Sequence, residues 1–200
     1  MYISIGHGCN VKQQINTIKG SKETLFFDWL MTDMKSVNQI LSYYQNIDEL
    51  LYFDNIIQCD KHPYHQNNSR MLIKSLSHCV SIHDINKEYN EKDIEDFIDK
   101  YKRRFLRILD CIKSNDKLYF IRYGNITNEE KEDFIKIIKE INHPCNFILI
   151  SIKINQDENL TKREDNYIEI NIQKPNKPYP DDWKTSFLDW ENIFKIIDEI

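Results

Sequence analysis

Cys9 is the residue with the clearest chemical potential in this sequence. It follows a short apolar segment, 2–5, and a glycine turn, 6–8, and it precedes an amphipathic stretch, 10–18, that ends at Gly20. The pattern predicts a strand that turns into a helix, which places the thiol where backbone N–H groups are unpaired and the helix dipole is positive. We expect this position to lower the pKa of the thiol and to make Cys9 a nucleophile. The alternative is a small buried side chain, as free cysteines commonly are.

The segments around Cys9 form an ordered series along the chain. The series consists of Ile3-Ser4-Ile5-Gly6-x-x-Cys9, Phe27-Asp28-Trp29-Leu30, His83-Asp84, Tyr101-x-Arg103-Arg104-Phe105 and Leu118-Tyr119-Phe120-Ile121-Arg122. Its order resembles the putative papain-like cysteine peptidase family, a domain of unknown function found in bacteria and large DNA viruses. The resemblance covers about 1–152 and extends more weakly towards Trp183 and Trp190. It implies a Cys-His hydrolase with Cys9 and His83 as the dyad, and it names no substrate.

Strands and helices alternate in the second half of the chain. We predict strands at 79–82, 118–122 and 147–152, separated by helices at 91–114 and 127–141. The first helix has an apolar stripe at three- and four-residue steps, and the second begins with a capping box. Such alternation indicates parallel strands joined by crossover helices. The predicted fold is therefore α/β, with three layers, a mostly parallel sheet and flanking helices.

The remaining segments complete this single predicted domain, 1–200. Segment 167–172 alternates apolar and polar residues and is predicted to be an edge strand, and 189–200 a closing helix. Segment 51–68 is irregular and is interpreted as a possible lid. A papain-like fold, by contrast, places its cysteine on a helix that packs against an antiparallel sheet, so the family name and the parallel pattern disagree about architecture.

Ligands of open α/β sheets bind outside the carboxyl ends of the strands. Cys9, His83 and Arg122 each follow or end a predicted strand, so we expect them on one rim. In this arrangement His83 takes the proton of Cys9, and the thiolate attacks an acyl carbon. Asp28 or Asp84 would orient the imidazole. Asp28 is preferred, because an acid between two aromatic residues is semi-buried and needs a polar partner.

Other readings of these residues remain open. His83 could be a core histidine, Asp28 could cap a helix or form a turn, and His7 is a second candidate for the base. The guanidinium of Arg122 is expected to emerge at the rim, where it binds a carboxylate or phosphate or pairs with an internal acid. The residues predicted to bind substrate are Gly8, Asn10, Trp29, Asp84, Arg122 and Asn125.

Composition narrows the function classes. The 200 residues suit one domain, and the net charge of -5 argues against nucleic-acid binding, so the basic cluster at 100–107 is interpreted as a solvated helix face. The sequence contains no apolar run that is long enough to indicate a membrane-spanning segment. Five cysteines without paired spacing favour reduced thiols and a cytoplasmic location. The oligomeric state cannot be predicted.

Two function classes follow. The first is a cysteine hydrolase or acyl transferase that acts on a peptide, amide or ester bond and needs no cofactor. The second is a non-catalytic domain of the same fold that holds a glycan, peptide or nucleotide at the carboxyl rim of the strands. Reactivity of Cys9 distinguishes them.

A zinc site is a further alternative that we do not favour. Cys59, His62 and His65, with His78 and Cys79 downstream, supply suitable ligand types, but their spacing matches no common zinc motif. We predict that the purified protein holds less than one equivalent of metal, measured by elemental analysis. Stoichiometric zinc that is lost in Cys59→Ser would contradict this expectation.

Overall fold

The structure is a computed structural model that describes residues 1–59, 70–81, 84, 90–114, 116–155, 160–173 and 184–200. The strands in this part are β1 (Tyr2–Ser4), β2 (Leu30–Thr32), β3 (Ile56–Cys59), β4 (Arg70–Ile73), β5 (Cys79–Ser81), β6 (Leu118–Tyr123), β7 (Phe147–Asn155), β8 (Leu160–Glu164) and β9 (Tyr167–Gln173). The α-helices are α1 (Asn10–Lys19), α2 (Met34–Ser42), α3 (Glu91–Lys113), α4 (Asn128–Ile141) and α5 (Trp190–Asp198). Short 3-10 helices occupy Ile47–Glu49 and Phe53–Asn55.

Parallel strands form the main sheet, whose order is β1-β6-β7-β9-β8. Only β8 runs antiparallel to its neighbour. The predicted α/β class with a mostly parallel sheet is confirmed. The prediction of an edge strand at 167–172 is wrong, because β9 pairs with β7 on one side and with β8 on the other. The strand β8 has no apolar alternation, so its sequence does not reveal that it covers β9.

A second sheet with the order β2-β5-β4-β3 is antiparallel throughout. The sequence correctly predicts a strand at β5, but its assignment to the parallel sheet is wrong. It pairs with β2, where Thr32 lies opposite Cys79. Both strands have three residues, and so short a segment carries no sign of the direction of its partner. The carboxyl end of β5 therefore does not belong to the rim of the parallel sheet.

The main sheet is covered on both faces. Successive residues of β6 belong to different cores, with Phe120 in one and Ile121 in the other. The core around Phe120 includes side chains of α2, α3 and α4, whereas the core around Ile121 includes Val11 of α1 and Trp190 of α5. This arrangement gives the three predicted layers, and the antiparallel sheet contributes Ile56 and other residues to the first core.

Two helices begin where the sequence predicts. At the start of α3, the Asn90 side chain accepts from the backbone N–H of Asp93, and at the start of α4 Thr127 and Glu130 form the predicted capping box. The apolar stripe of α3 is buried along its length. These local signals are strong because each cap satisfies N–H groups that have no partner within the helix.

The turn after β1 is held against the second sheet. Gly6 has φ 79° and His7 has φ 73°. The backbone N–H of His7 donates to the carbonyl of Thr32 at 3.2 Å. Arg122 donates to this carbonyl and to that of Ile5, both at 3.0 Å. The turn that leads to Cys9 is therefore attached to both sheets.

Gly6→Ala should strongly destabilise the protein. An added Cβ would lie 1.7 Å from Thr32 Oγ1, and φ is in the left-handed region. Gly20→Ala is the matched control, because Gly20 has φ 67° but no atom within 4 Å of the added Cβ. We expect a loss of about 1 kcal/mol in unfolding free energy for Gly20→Ala and about 3 kcal/mol for Gly6→Ala, measured by urea denaturation. Equal losses would mean that the contact with Thr32 imposes no constraint.

Candidate active site around Cys9

Cys9 lies at the predicted junction between strand and helix. It is the N-cap residue of α1, with φ −80° and ψ −9°, and its carbonyl accepts from the N–H of Gln13 at 3.0 Å. The side chain is half-buried. The N–H of Val11 donates to Asn10 Oδ1 at 2.9 Å, and the other N–H groups of the first turn have no partner within the helix. The thiol therefore lies beside backbone donors, as the sequence predicts.

The protonation state of this thiol differs from the prediction. Burial raises the pKa of Cys9 to about 11, and the negative charge of Asp28 contributes to the rise. The expected lowering is wrong for these surroundings, because loss of hydration outweighs the effect of the helix terminus. Cys9 is consequently a neutral thiol near pH 7, and any nucleophilic role needs a base that removes the proton during attack.

Asp28 is a buried carboxylate near this thiol. Its relative exposure is 1%, and Oδ2 accepts from the N–H of Leu25 at 2.8 Å and from Lys12 Nζ at 3.1 Å. Lys12 also donates to the carbonyl of Glu23. Among the described residues, Asp28 Oδ1 has no hydrogen-bond partner. Burial raises the pKa of Asp28 to about 6, against the charges of Lys12 and Arg104, which lower it.

Asp84, the second candidate acid, accepts hydrogen bonds from two side chains of α3. Oδ1 accepts from Lys100 Nζ at 2.5 Å, and Oδ2 accepts from the hydroxyl of Tyr101 at 2.7 Å and from that of Ser81. Burial raises the pKa of Asp84, but these hydrogen bonds and the charge of Lys100 outweigh it and hold the pKa below its usual value. Both oxygens of Asp84 are therefore engaged, whereas one oxygen of Asp28 is not.

His83 lies outside the described residues, so its distance from Cys9 is not described. His7, the competing base, has its ring next to Gly124 and 6.1 Å from the ring of Tyr123, measured between centroids. Burial lowers the pKa of His7, and the positive charges of Arg122 and His78 lower it further. The described contacts of the His7 ring are therefore with the end of β6, whereas Asp28, whose charge acts on the thiol, is on the 25–29 segment.

Arg122 does not emerge at the rim. Its relative exposure is 4%, and both terminal nitrogens donate to main-chain carbonyls of the two sheets. Burial lowers the pKa of its guanidinium to about 10. Arg122 is buried because β6 continues to Tyr123 and because Arg122 lies on the same face of the strand as Phe120, towards the interior. A role of Arg122 in substrate binding stays untested, but its described bonds are structural.

The other predicted binding residues are dispersed. Gly8 is half-buried next to Cys9, Asn10 is buried, and Asn125 is exposed beyond β6. Trp29 is half-buried with φ 68°, an uncommon backbone conformation for a large side chain. Gly8 and Asn10 thus flank Cys9 along the chain, Trp29 follows Asp28, and Asn125 lies after β6, the strand that pairs with β1.

Two residues of this region were missed by the sequence analysis. Lys12 lies three residues after Cys9 on α1, and Arg104 lies on α3 with its Cζ 5.0 Å from the centroid of the Tyr101 ring. The only signal for Lys12 is its helical spacing from Cys9. Arg104 belongs to the basic cluster that was interpreted as solvated, but it lies three residues after Tyr101 and four before Ile108, so the helical spacing places it beside the apolar stripe.

The described residues do not form the zinc site that was considered as an alternative. His62 and His65 and the side chain of Cys59 lie outside the described residues, and within the described ones no three His, Cys, Asp or Glu side chains form a group suited to a metal ion. Among the described residues, Cys9, Cys79, Cys111 and Cys145 form no disulfide. None of the helices that are described is long and apolar enough to span a membrane.

These features define an α/β protein with a half-buried thiol at the N-terminus of its first helix and a buried acid whose charge acts on that thiol. The chain belongs to the family described as Putative papain-like cysteine peptidase (DUF1796), whose profile matches residues 1–159. The chain is also similar to the uncharacterized protein R408 of Acanthamoeba polyphaga mimivirus, with 25% identity in an alignment 218 positions long that covers 96% of each chain. No solved structure matches.

Asp28→Asn should lower the equilibrium pKa of the Cys9 thiol, because it removes a nearby negative charge that disfavours the thiolate. We expect a fall of roughly one pKa unit, followed through the carbon-13 shift of the labelled cysteine Cβ. Asp84→Asn is the control, because the charge of Asp84 is engaged with Lys100 and is not among the causes of the Cys9 shift. Identical titrations of all three proteins would show that Asp28 does not act on the thiol.

Proposed function

We propose that this protein is a cysteine-dependent hydrolase or acyl transferase that acts on a peptide, amide or ester bond, with Cys9 as the nucleophile. The observation that carries the proposal is the half-buried thiol at the N-cap of α1, within electrostatic reach of the buried carboxylate of Asp28. Membership in a family described as cysteine peptidases supports the same reaction class.

The proposed reaction begins with a neutral thiol. Because the surroundings raise the pKa of Cys9 to about 11, a preformed thiolate is scarce at neutral pH. His83 is proposed to take the proton while sulfur attacks the acyl carbon. The carbonyl oxygen gains the negative charge and is stabilised by N–H groups at the start of α1 that have no partner within the helix, with Val11 excluded because its N–H already binds Asn10 Oδ1.

The second half of the reaction releases the acyl group. The imidazolium of His83 returns its proton to the leaving amine or alcohol as the carbon–heteroatom bond breaks, which leaves a thioester on Cys9. A water molecule or another acceptor then attacks the thioester, and His83 takes the proton of this acceptor and passes it to the departing sulfur.

Asp28 is proposed as the acid that orients the imidazole. Its Oδ1 has no partner among the described residues, while Lys12 and Leu25 hold Oδ2. A carboxylate with one fixed and one available oxygen suits the third position of a nucleophile, base and acid arrangement. Asp84 is less suited because both of its oxygens accept hydrogen bonds from Ser81 or α3.

One observation favours the second class, a non-catalytic domain that binds a glycan, peptide or nucleotide. The raised pKa of Cys9 is the state expected of an inert, half-buried cysteine. The two classes differ in the reactivity of this thiol, because only the hydrolase requires a base that activates it.

Cys111 provides an internal reference for this test. It is also half-buried, and burial, with the charges of Glu23 and Asp110, raises its pKa to about 11. With limiting iodoacetamide near pH 7, we expect Cys9 to react roughly 10- to 100-fold faster than Cys111, because a positioned base accelerates proton removal. Adducts are mapped by mass spectrometry, and the rates are followed over a pH series.

Substitution of the two histidines then identifies the base. His83→Ala should remove most of the excess reactivity of Cys9 and move its apparent pKa up towards about 11, while His7→Ala should leave both mostly unchanged. Preferential labelling of Cys59, Cys79, Cys111 or Cys145 would reject Cys9 as the nucleophile. An unchanged profile in a folded His83→Ala protein would reject the dyad and favour the binding domain.

A further inference from the structure

Three hydrogen bonds hold the carboxylate of Asp84. Oδ1 accepts from Lys100 Nζ at 2.5 Å, and Oδ2 accepts from the hydroxyl of Tyr101 at 2.7 Å and from that of Ser81. Lys100 and Tyr101 belong to α3, whereas Ser81 is the last residue of β5. The carboxylate therefore ties the end of β5 to α3. Because both oxygens are engaged in this tie, the role of orienting acid does not account for Asp84.

The tie involves the residues on either side of the proposed base in the sequence. His83 directly precedes Asp84, and Ser81, which donates to Asp84, lies two positions before His83. Consecutive Cα atoms are about 3.8 Å apart across a trans peptide bond. Any contact that fixes Asp84 therefore limits where the backbone of the base can lie.

Tyr101 contacts both the neighbour of the base and the segment of the acid. Its side chain is fully buried, and its hydroxyl donates to Asp84. Its ring makes an edge contact with Phe26, with centroids 5.2 Å apart, and Phe26 precedes Asp28 by two residues. One side chain of α3 thus meets the two segments that must face each other for an acid to orient an imidazole.

The 25–29 segment is attached in turn to the helix of the nucleophile. Lys12 Nζ lies 3.1 Å from Asp28 Oδ2, and Lys12 follows Cys9 by three residues, which is about one turn of α1. From Asp84 to α1, each step is a hydrogen bond, a ring contact, an ion pair or a short stretch of chain among the described residues. The three proposed catalytic residues are therefore linked through Tyr101.

The hydroxyl of Tyr101 is a fixed donor. Burial and the charge of Asp84 raise its pKa well above the usual value, so the phenol stays protonated at neutral pH. The ring lies 4.4 Å from that of Phe97 between centroids, and the guanidinium of Arg104 covers it with Cζ at 5.0 Å. A ring that is packed in this way cannot easily turn, so the direction of its hydroxyl is set by the core.

We propose that Tyr101 is a positioning residue of the site: its hydroxyl holds Asp84 and thereby places His83 relative to Asp28 and Cys9. The inference rests on the proposed function and adds to it the residue that aligns the base. Loss of this hydroxyl should misalign the imidazole while every group that takes part in the reaction is retained.

Tyr101→Phe tests this role, because it keeps the ring and its contact with Phe26 and removes only the donor to Asp84. With limiting iodoacetamide near pH 7, we expect the alkylation rate at Cys9 to fall about tenfold, since proton transfer depends steeply on alignment. The rate at Cys111, which lies on the same helix, should stay unchanged. A general loosening of α3 would instead raise the rate at Cys111.

Two further variants serve as a control and as a second test. Tyr167→Phe removes a tyrosine hydroxyl that donates to Glu169 at 3.4 Å on the main sheet, and it should leave the rate at Cys9 unchanged. Ser81→Ala removes the other hydroxyl that donates to Asp84 Oδ2, and it should lower the rate at Cys9 as Tyr101→Phe does. If Tyr101→Phe does not fold, Ser81→Ala takes its place in every comparison.

A double variant shows whether Tyr101 acts through the base. In a His83→Ala protein, Tyr101→Phe should cause no further loss, and the pH profiles of Cys9 alkylation in the single His83→Ala and the double variant should coincide. A role confined to stability would lower the rate by the same factor with and without the imidazole, because effects of independent sites add.

The outcomes separate this inference from the proposed function. A full rate at Cys9 in a folded Tyr101→Phe protein, or equal losses with and without His83, would overturn the role of Tyr101 and leave the hydrolase in place. An unchanged rate at Cys9 in His83→Ala would reject the dyad itself, and Tyr101 would then have no base to position.

Discussion

The buried guanidinium of Arg122 is the interaction on which the rest of the structure depends. It joins the carbonyls that follow β1 and end β2, so it connects the parallel and the antiparallel sheet at the point where the chain leaves β1. The N–H of His7 donates to the same Thr32 carbonyl. A side chain at position 6 would clash with the Thr32 side chain, so only glycine fits there. The turn is therefore held between both sheets before α1 begins, and the position of Cys9 follows from tertiary contacts as much as from the helix it caps. Burying this cation without a carboxylate is costly, and the two charge-assisted bonds offset part of that cost.

The state of the thiol shows which electrostatic effect dominates. A helix terminus contributes roughly 0.3–1 kcal/mol to a nearby charge, which is less than one pKa unit. Burial acts in the opposite direction and raises the pKa of Cys9 from 9.0 to about 11, with help from Asp28. Proximity to a helix N-terminus is therefore insufficient to activate this cysteine. Under the proposed mechanism the base must remove the thiol proton while sulfur attacks. The orientation of the imidazole is therefore more important than in a site with a stable thiolate.

The family name implies a cysteine on a helix against an antiparallel sheet, whereas the structure combines two sheets. Val11 and Ile15 of α1 pack with Ile121 in the core on one face of the parallel sheet, while the turn before the helix is bonded to Thr32 of the antiparallel sheet. The acid that acts on the thiol, Asp28, comes from the 25–29 segment, and its lysine partner, Lys12, comes from α1 itself. The Lys12–Asp28 pair joins α1 to the 25–29 segment, and the Lys100–Asp84 pair joins α3 to the residue that follows β5 by three positions.

The sequence by itself determined the elements whose signals are local. The start of α3 at Asn90, the start of α4 at Thr127 and the turn that leads into Cys9 depend on capping, apolar spacing and glycine conformation, which neighbouring residues specify. Only the tertiary structure decided which partner each short strand has and which charged side chains are buried. β5 joined the antiparallel sheet and Arg122 turned inward, because strand pairing and burial depend on residues distant in sequence. Helical spacing places Lys12 one turn from Cys9 and Arg104 beside the apolar stripe of α3, but the pairing of Lys12 with Asp28 depends on a segment distant in sequence, so it could not be predicted before folding.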